Sequence, residues 1–211
     1  MHPKLHIMHH PLVYHKLTKI RDKKTGPKEF KEFVEELATI ICYEATRNIQ
    51  TEDTEIETPV QKTKGKIITQ EFAVVPILRA GQGMLNGILR FLPTAKVGHI
   101  GLYRDPSTLI PVQYYVKLPT DIALRQVFII DPMIATGNSV KESIKILIQN
   151  GVLAKNIKIL CLVSCPEGVQ NIHGTFGDVE IYTATHDVGL NEKGYILPGL
   201  GDAGDRLYGT Q

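Results

Sequence analysis

The chain has 211 residues, of which 43% are hydrophobic and 22% are charged, and its 24 Lys and Arg against 22 Asp and Glu give a formal net charge of +2. This length and composition predict one folded globular domain, residues 1–211, and exclude a disordered chain. The near balance of charge argues against a domain built mainly to bind nucleic acid. We find no run of ~18 apolar residues and no signal-peptide core, so we expect a cytoplasmic protein without a membrane span.

The N-terminal segment contains a group of histidines that could suggest a metal site. No cysteine or carboxylate lies at ligand spacing beside them, and the His10-Pro11 step disfavours a helix that would align them. We therefore interpret them as solvated or packing side chains. They are His2, His6, His9, His10 and His15.

A long helix is predicted to open at Pro27, because proline is favoured in the first helical turn. Apolar residues then recur at helical spacing and predict a stripe that faces the core. The stripe consists of Phe30, Phe33, Val34, Leu37, Ile40, Ile41 and Ala45.

Strands and helices alternate through the rest of the chain. The apolar runs Phe72–Leu78, Ala95–Tyr103, Val112–Lys117, Val127–Asp131 and Ile157–Val163 predict strands. Helices are predicted at Met84–Leu92 and Ser139–Gln149. Continuous apolar strands separated by helices are typical of βαβ units, so we expect an α/β fold with a mainly parallel sheet.

The cysteines do not form a redox motif. Cys161 and Cys165 lie four residues apart in one predicted strand, about 13 Å between Cα atoms, which is too far for a disulfide. Cys42 falls in the long helix, and the sequence has no CxxC pair. We expect buried, inert thiols.

The segment VFIIDPMIATGNSV, residues 127–140, carries the strongest chemical signal. A buried strand ends at Asp131, and the loop Ala135–Ser139 leads into a helix. Backbone N–H groups at such a helix start bind anions, and Gly137 permits a tight turn at the strand end where open α/β sheets bind ligands. The alternative is an ordinary βα turn capped by Ser139. A Walker loop is excluded because GxxxxGK[ST] is absent.

Two further segments are candidates for binding a diphosphate. Arg79-Ala80-Gly81 follows an apolar strand, so that backbone and guanidinium can both approach an anion, although such an arginine is often a surface ion pair. The polar stretch Arg104–Pro111 could close over a substrate and exclude water. Its alternative is a solvated hairpin connection.

The glycine-rich tail Gly194–Thr210 is the most distinctive segment. It formally contains GxGxxG, but too little chain follows Gly204 for the helix and strand of a dinucleotide site. Its apolar residues also argue against a flexible tail. Glycines let a backbone approach a base closely, and N–H, C=O, N–H groups complement the acceptor, donor, acceptor edge of uracil. Cytosine inverts part of that pattern, so such a loop would reject it.

Several motifs together resemble those of the uracil phosphoribosyltransferase family, within the type I phosphoribosyltransferases. They are HPLVYHKL, VVPILRAGQGM, DPMIATGNS, CPEGV and GLNEKGYILPGLGDAGDRLYGT. The resemblance covers the chain from His10 to Thr210. It implies a mainly parallel sheet flanked by helices, with a small hood formed by the N- and C-terminal segments.

The resemblance implies transfer of the phosphoribosyl group of phosphoribosyl diphosphate (PRPP) to uracil, which gives UMP and diphosphate. It assigns catalysis to Asp131, Asp202 and Arg104. It assigns PRPP binding to Arg79, Arg104, Asp131, Pro132, Met133, Ile134, Ala135, Thr136, Gly137, Asn138, Ser139 and Asp202. It assigns uracil binding to Ile196, Gly201, Asp202 and Ala203.

The chain departs from the family pattern at a few of these positions. Pro132 replaces a second acid that many type I members carry, which leaves contact with the ribose hydroxyls to Asp131 alone. Asn138 stands where many members have glycine, and we expect it to alter the flexibility of the loop without abolishing binding. Gln82 stands where many have leucine.

Charge predicts the cofactor. PRPP is strongly anionic. Each of its negative charges that lies close to the carboxylate of Asp131 or Asp202 costs roughly 1–4 kcal/mol, depending on the effective dielectric constant. A divalent cation reverses that sign, so we expect Mg²⁺, held mainly by substrate oxygens and water rather than by a dedicated set of protein ligands. Asp202 is the protein group expected nearest to it. No general base for uracil N1 stands out.

Two other functions fit the sequence less well. A purine phosphoribosyltransferase conflicts with the tail, and a PRPP-sensing regulator that binds RNA or DNA conflicts with the charge and the lack of a nucleic-acid module. The family resemblance adds an expectation of a homodimer or larger oligomer. Activation by GTP and acceptance of 5-substituted uracils stay open.

Overall fold

The structure, a computed structural model, describes residues 2–104 and 111–210, with only the backbone of Arg104 included. The helices are α1 (Pro11–Arg21), α2 (Pro27–Ala45), α3 (Gln82–Phe91), α4 (Asn138–Gln149), α5 (Pro166–His173) and α6 (Ala203–Tyr208). The strands are β1 (Leu5–Ile7), β2 (Thr51–Glu57), β3 (Lys62–Ile68), β4 (Phe72–Leu78), β5 (Lys96–Val97), β6 (His99–Arg104), β7 (Pro111–Lys117), β8 (Gln126–Ile130), β9 (Met133–Ile134), β10 (Ile157–Ser164), β11 (Glu180–His186), β12 (Gly189–Leu190) and β13 (Ile196–Leu197).

The central sheet has the strand order β1-β11-β10-β8-β4-β6-β7. Its neighbours pair in parallel except β6 and β7, and the short strands β5 and β9 add parallel pairs to β4 and β10. In the middle of the sheet, Ile129 of β8 lies between Val75 of β4 and Ile159 of β10. The predicted mainly parallel α/β fold is confirmed.

The sheet carries a hydrophobic core on each face. On β8, Phe128 and Ile130 belong to the core beneath α1, α2, α3 and α6, whereas Val127 and Ile129 belong to the core beneath α4 and α5. Alternation along a strand explains why the run reads as continuously apolar in the sequence. This arrangement leaves the carboxyl ends of β4 and β8 free to build a site.

The long predicted helix is present as α2. Gly26 has an extended backbone before Pro27, and the buried side chains of α2 follow the predicted stripe. The single strand predicted at Ala95–Tyr103 is instead two, β5 and β6, interrupted at Gly98. The Gly98 N–H bonds the carbonyl of Val74, 3.0 Å away, where the chain passes between the two strands.

The N- and C-terminal segments contact each other beside the carboxyl edge of the sheet, as the predicted hood requires. Arg21 at the end of α1 donates to the carbonyl of Gly199 at 2.8 Å. In return, Arg206 of α6 donates to the carbonyls of Ile20 and Asp22. These contacts hold the end of α1 against the C-terminal segment, although the two are separated by most of the sequence.

The histidines and cysteines take structural positions. His10 caps α1 by accepting from the Leu12 N–H at 3.1 Å, and the ring of His2 stacks on that of His173. All of the cysteines are buried and free, as predicted. Within residues 2–104 and 111–210, no helix is long and apolar enough to cross a bilayer.

Candidate active site

A cleft of about 420 Å³ opens where the chain leaves β4 and β8. Its walls come from the end of β4, the loop after β8 and the glycine-rich tail. The residues that line it are Ala80, Asp131, Met133, Ala135, Ser139, Lys193, Gly194, Tyr195, Gly201, Asp202, Ala203 and Gly204. The structure thus brings together two motifs that are about 60 residues apart in the sequence.

Asp131 lies at the floor of this cleft, directly after β8. Burial, with a smaller contribution from the negative charge of Asp202, raises the pKa of its carboxyl from 3.8 to about 7. The only opposing contribution is a long hydrogen bond, 3.5 Å, from the Met133 N–H to its Oδ1. A carboxylate in this position is poorly solvated and would gain from a hydroxyl or cation.

The loop after Asp131 turns sharply at Gly137. Its φ of 76° places Gly137 in the left-handed region immediately before α4. A Cβ here would lie 2.6 Å from the carbonyl oxygen of Gly168 in α5. Both the conformation and the close approach of α5 require glycine at this position.

Helix α5 and Cys165, the residue before it, support the same loop. Asn171 donates to the carbonyl of Thr136 at 2.8 Å and to the Asn138 side chain at 2.7 Å. The Cys165 thiol lies 3.1 Å from the carbonyl of Ala135. Burial raises the pKa of that thiol to about 11, so it is protonated and can donate. No contact with the loop was predicted for Asn171 or Cys165 from the sequence.

The predicted diphosphate segment lies at the end of β4. The Leu78–Arg79 peptide is cis, and the Arg79 side chain is 3.7 Å from Asp205 of α6. A Cβ on Gly81 would lie 2.4 Å from the carbonyl of Ile130, so only glycine lets β4 turn this close to β8. Ala80 lines the cleft, and Arg79 stands next to it with a largely exposed side chain.

The glycine-rich tail folds over the cleft as a series of tight turns. Gly199 and Gly201 have φ values of 58° and 82°, and a Cβ on Gly199 would lie 2.2 Å from the carbonyl of Ile196. Asp202 caps α6 through one oxygen, which accepts the Asp205 N–H at 2.9 Å. Gly201 and Asp202 both line the cleft, and Gly201 has no side chain to cover its main-chain groups.

A buried ion pair holds this tail in place. Arg21 makes two hydrogen bonds to the Asp187 carboxylate, at 2.8 and 2.6 Å, and a third to the Gly199 carbonyl. The same carboxylate accepts the Gly199 N–H at 2.9 Å, so both polar groups of Gly199 are fixed. Asp187 comes directly after β11, and its side chain is only 4% exposed. No local motif in the sequence pointed to this pair.

The predicted site residues divide by position. Asp131, Met133, Ala135, Ser139, Gly201, Asp202 and Ala203 line the cleft, and Thr136, Gly137 and Asn138 complete the loop beside it. Ile134 and Ile196, however, bury their side chains in the two cores, and Pro132 is buried as well, with its carbonyl bonded by Leu162 and Val163. Main-chain atoms of Ile134 and Ile196 remain available to a ligand. Pro132 offers no polar group, because proline has no N–H and its carbonyl accepts the N–H groups of Leu162 and Val163, so its predicted contact with PRPP is limited to packing. The Arg104 side chain and residues 105–110 of the predicted closing stretch lie outside the described residues.

Lys193 and Tyr195 line the cleft but were absent from the predicted site. Both lie in a turn where Asn191 Oδ1 accepts their backbone N–H groups at 3.0 and 2.9 Å. Their position on either side of Gly194, within the tail motif, is the sequence feature that could have predicted them as site residues. They add a cation and an aromatic ring to the rim.

Comparison with solved structures agrees with the fold. The AQ2163 protein from Aquifex aeolicus has a TM-score of 0.90 at 36% identity, over 97% of each chain. A hypoxanthine-guanine phosphoribosyltransferase from Bacillus anthracis shares the fold alone, with a TM-score of 0.51 at 12% identity over 76% of this chain and 80% of that chain. The fold is therefore that of the type I phosphoribosyltransferases.

Sequence relatives narrow this class. A model of the uracil phosphoribosyltransferase family matches residues 7–210. Proteins named uracil phosphoribosyltransferase from Geobacillus sp. (strain WCH70) and Bacillus pumilus are 57% and 54% identical over 209 residues, 99% of each chain. The chain belongs to the uracil phosphoribosyltransferase family, and the enzyme class predicted from its motifs is confirmed. This family transfers the phosphoribosyl group of PRPP to uracil.

Proposed function

We propose that this chain makes UMP and diphosphate from uracil and PRPP, with the sugar phosphate held by the loop after β8 and the base held by the tail. The observation that carries the proposal is the shared cleft. Ala135 and Ser139 from the loop face Gly201 and Ala203 from the tail across it. A nucleoside monophosphate needs these two kinds of contact in one place.

The loop supplies the anion contacts. Its N–H groups precede α4, whose dipole favours negative charge, and Thr136 and Ser139 add hydroxyl donors. Asp131 accepts hydroxyl groups of the ribose, which replace the solvation that its carboxylate lacks. Arg79 at the end of β4 offers a guanidinium to the diphosphate, because its side chain is largely exposed beside Ala80. Arg104 would add a second guanidinium.

The tail supplies the base contacts. Main-chain N–H and C=O groups around Ile196, Gly201 and Ala203 complement the uracil edge, and the ion pair of Arg21 with Asp187 keeps them in position. Hydrogen bonds of this kind reject a base with the wrong pattern strongly, because buried polar groups would be left unpaired. Tyr195 adds an aromatic surface at the rim.

The cleft also fits a divalent cation. Asp131 and Asp202 present carboxylate oxygens, the ligands that Mg²⁺ prefers, and their charges repel one another when no cation is present. Residues 2–104 and 111–210 offer no group of three or more His, Cys, Asp or Glu side chains for a metal. Asp202 and Asp131 would therefore hold Mg²⁺ together with substrate oxygens and water. When bound, the cation neutralises charge on the diphosphate.

Catalysis then rests on positioning and charge. As diphosphate leaves, the ribose carbon gains oxocarbenium character, and the Asp131 carboxylate beneath the sugar is placed to stabilise it. Arg79 stabilises the leaving diphosphate. The described residues show no side chain that is clearly placed to take the proton from uracil N1. Homo-oligomerisation stays a prediction of the resemblance, and a cytoplasmic location stays a prediction from the sequence. Activation by GTP stays an open question.

One assay tests the proposal. The purified chain is incubated with PRPP, Mg²⁺ and one of four bases: uracil, cytosine, hypoxanthine or adenine. UMP is expected with uracil and no nucleotide with the others, because only uracil matches the main-chain pattern. A purine nucleotide instead of UMP would favour the purine alternative. Tight RNA binding that survives moderate salt would revive the regulator.

A further inference from the structure

Helix α5 and Cys165, the residue just before it, contact two consecutive carbonyl groups of the loop after β8. Asn171 Nδ2 donates to the Thr136 carbonyl at 2.8 Å, and the Cys165 thiol lies 3.1 Å from the Ala135 carbonyl. Gly168, in the first turn of α5, lies between these two residues in the sequence, and a Cβ there would be 2.4 Å from the Ala135 oxygen. The backbone of α5 therefore packs directly against the loop.

Both ends of the Asn171 carboxamide make hydrogen bonds. Its Nδ2 also donates to Asn138 Oδ1 at 2.7 Å, while its own Oδ1 accepts from Lys141 Nζ at 3.0 Å. The reverse orientation would place an oxygen against two other oxygens, so these partners fix the amide. A side chain held on three sides is a rigid support.

This support determines the direction of the loop's N–H groups. In a planar trans peptide the C=O and the next N–H point in opposite directions. Because α5 holds the carbonyls of Ala135 and Thr136, the N–H groups of Thr136 and Gly137 point away from α5. Within the described ranges, neither of these N–H groups donates to an acceptor in the chain.

We propose that Asn171 is a positioning residue for PRPP, which holds the Thr136–Gly137 peptide so that its N–H faces the 5′-phosphate. This inference rests on the proposed assignment of that loop to the phosphate. Without the donor on Asn171, the peptide beside Gly137 can rotate, because glycine tolerates both orientations. The anion site would then lose one of its oriented donors before the substrate arrives.

Two substitutions separate orientation from charge. Asn171→Asp keeps the shape of the side chain but cannot donate to Thr136, and Asn171→Ala removes the donor without adding charge. Both are expected to raise KM for PRPP at least tenfold and to leave KM for uracil within twofold. Gln170→Ala changes an exposed neighbour on the same helix and is the matched control. A tenfold rise in Asn171→Asp alone, or an equal rise in both KM values, would overturn the proposal.

An NMR titration with UMP distinguishes this inference from the assignment beneath it. In the wild-type chain, UMP is expected to shift the Gly137 amide resonance strongly. In Asn171→Ala that shift should be reduced by at least half at saturation. An unmoved Gly137 resonance in the wild-type chain would refute the phosphate assignment itself. Equal shifts in both proteins would refute only the role of Asn171.

Discussion

Asp131 is destabilising for the fold when ionised, and it is the residue whose charge the proposed reaction needs. Its pKa is raised from 3.8 to about 7 by burial. The neutral form therefore stabilises the ligand-free chain fully below pH ~4, and that stability is lost as the pH rises through about 7. The loss amounts to at most ~4 kcal/mol. A bound hydroxyl or cation would offset it.

Asp131→Asn separates these two effects. The variant keeps a neutral side chain at every pH, so the difference in unfolding free energy between variant and wild type should grow in the variant's favour from pH 5 to about 7 and level off above. Its rate of UMP formation should fall at least ~10²-fold, a typical cost of a lost transition-state contact. Urea denaturation and steady-state assays measure both. If the unfolding free energies of variant and wild type changed in parallel with pH, the raised pKa of Asp131 would be contradicted. The control is Asp178→Asn, which changes an exposed aspartate.

At the scale of elements, the tail depends on a contact between α1 and the end of β11. Asp187→Asn removes the charge that Arg21 pairs with and weakens the fixation of Gly199. Breaking a buried pair in this way is expected to cost about 3 kcal/mol of stability. KM for uracil should rise at least tenfold while KM for PRPP stays within twofold, because the loop after β8 does not touch this pair.

A matched variant makes the result specific. Asp53→Asn breaks an exposed ion pair with Lys66, whose side chains are 60% and 67% exposed, and should cost less than ~1 kcal/mol. Urea denaturation compares the two variants, and kinetics gives both KM values. If Asp187→Asn left KM for uracil unchanged, the tail would not be the base site.

The sequence predicted those elements whose own residues carry the signal, such as a continuous apolar run or a proline at the start of a helix. The apolar run Phe72–Leu78 matches β4 residue for residue, and Pro27 marks the start of α2. The hairpin of β2 and β3 was not predicted, because nearly every residue in it is exposed and no apolar alternation marks a face. Gly98 splits a predicted strand through a contact with Val74, which a local pattern does not contain.

The same distinction applies to the candidate site. Asp131 and Gly137 stand in a motif whose chemistry is local: a strand end, a turn and a helix start. Asn171 and Asp187 act on partners 35 and 12 residues away, at Thr136 and Gly199, and each looks like an ordinary polar residue in its own segment. Residues that hold a site in place are found only once the fold brings their partners to them.

At the scale of the whole molecule, the sheet places two distant segments on one cleft, and they should respond to one ligand together. UMP is expected to contact both the loop after β8 and the glycine-rich tail, whereas ribose 5-phosphate can contact only the loop. Hydrogen exchange is therefore expected to show that UMP protects amides in residues 135–139 and in residues 199–203. Ribose 5-phosphate should protect only the former. Uracil added with diphosphate should extend protection to the tail, because the base site does not need a covalent link to the sugar.

The control is the exposed hairpin of β2 and β3, whose amides should exchange equally with every ligand. Mass spectrometry of peptic fragments resolves the three regions in one experiment. Protection of residues 135–139 by UMP without any change at residues 199–203 would show that the tail does not bind the base. If ribose 5-phosphate alone protected residues 199–203, ordering of the loop at residues 135–139 would also order the tail. Binding at one site would then reduce local opening at the other.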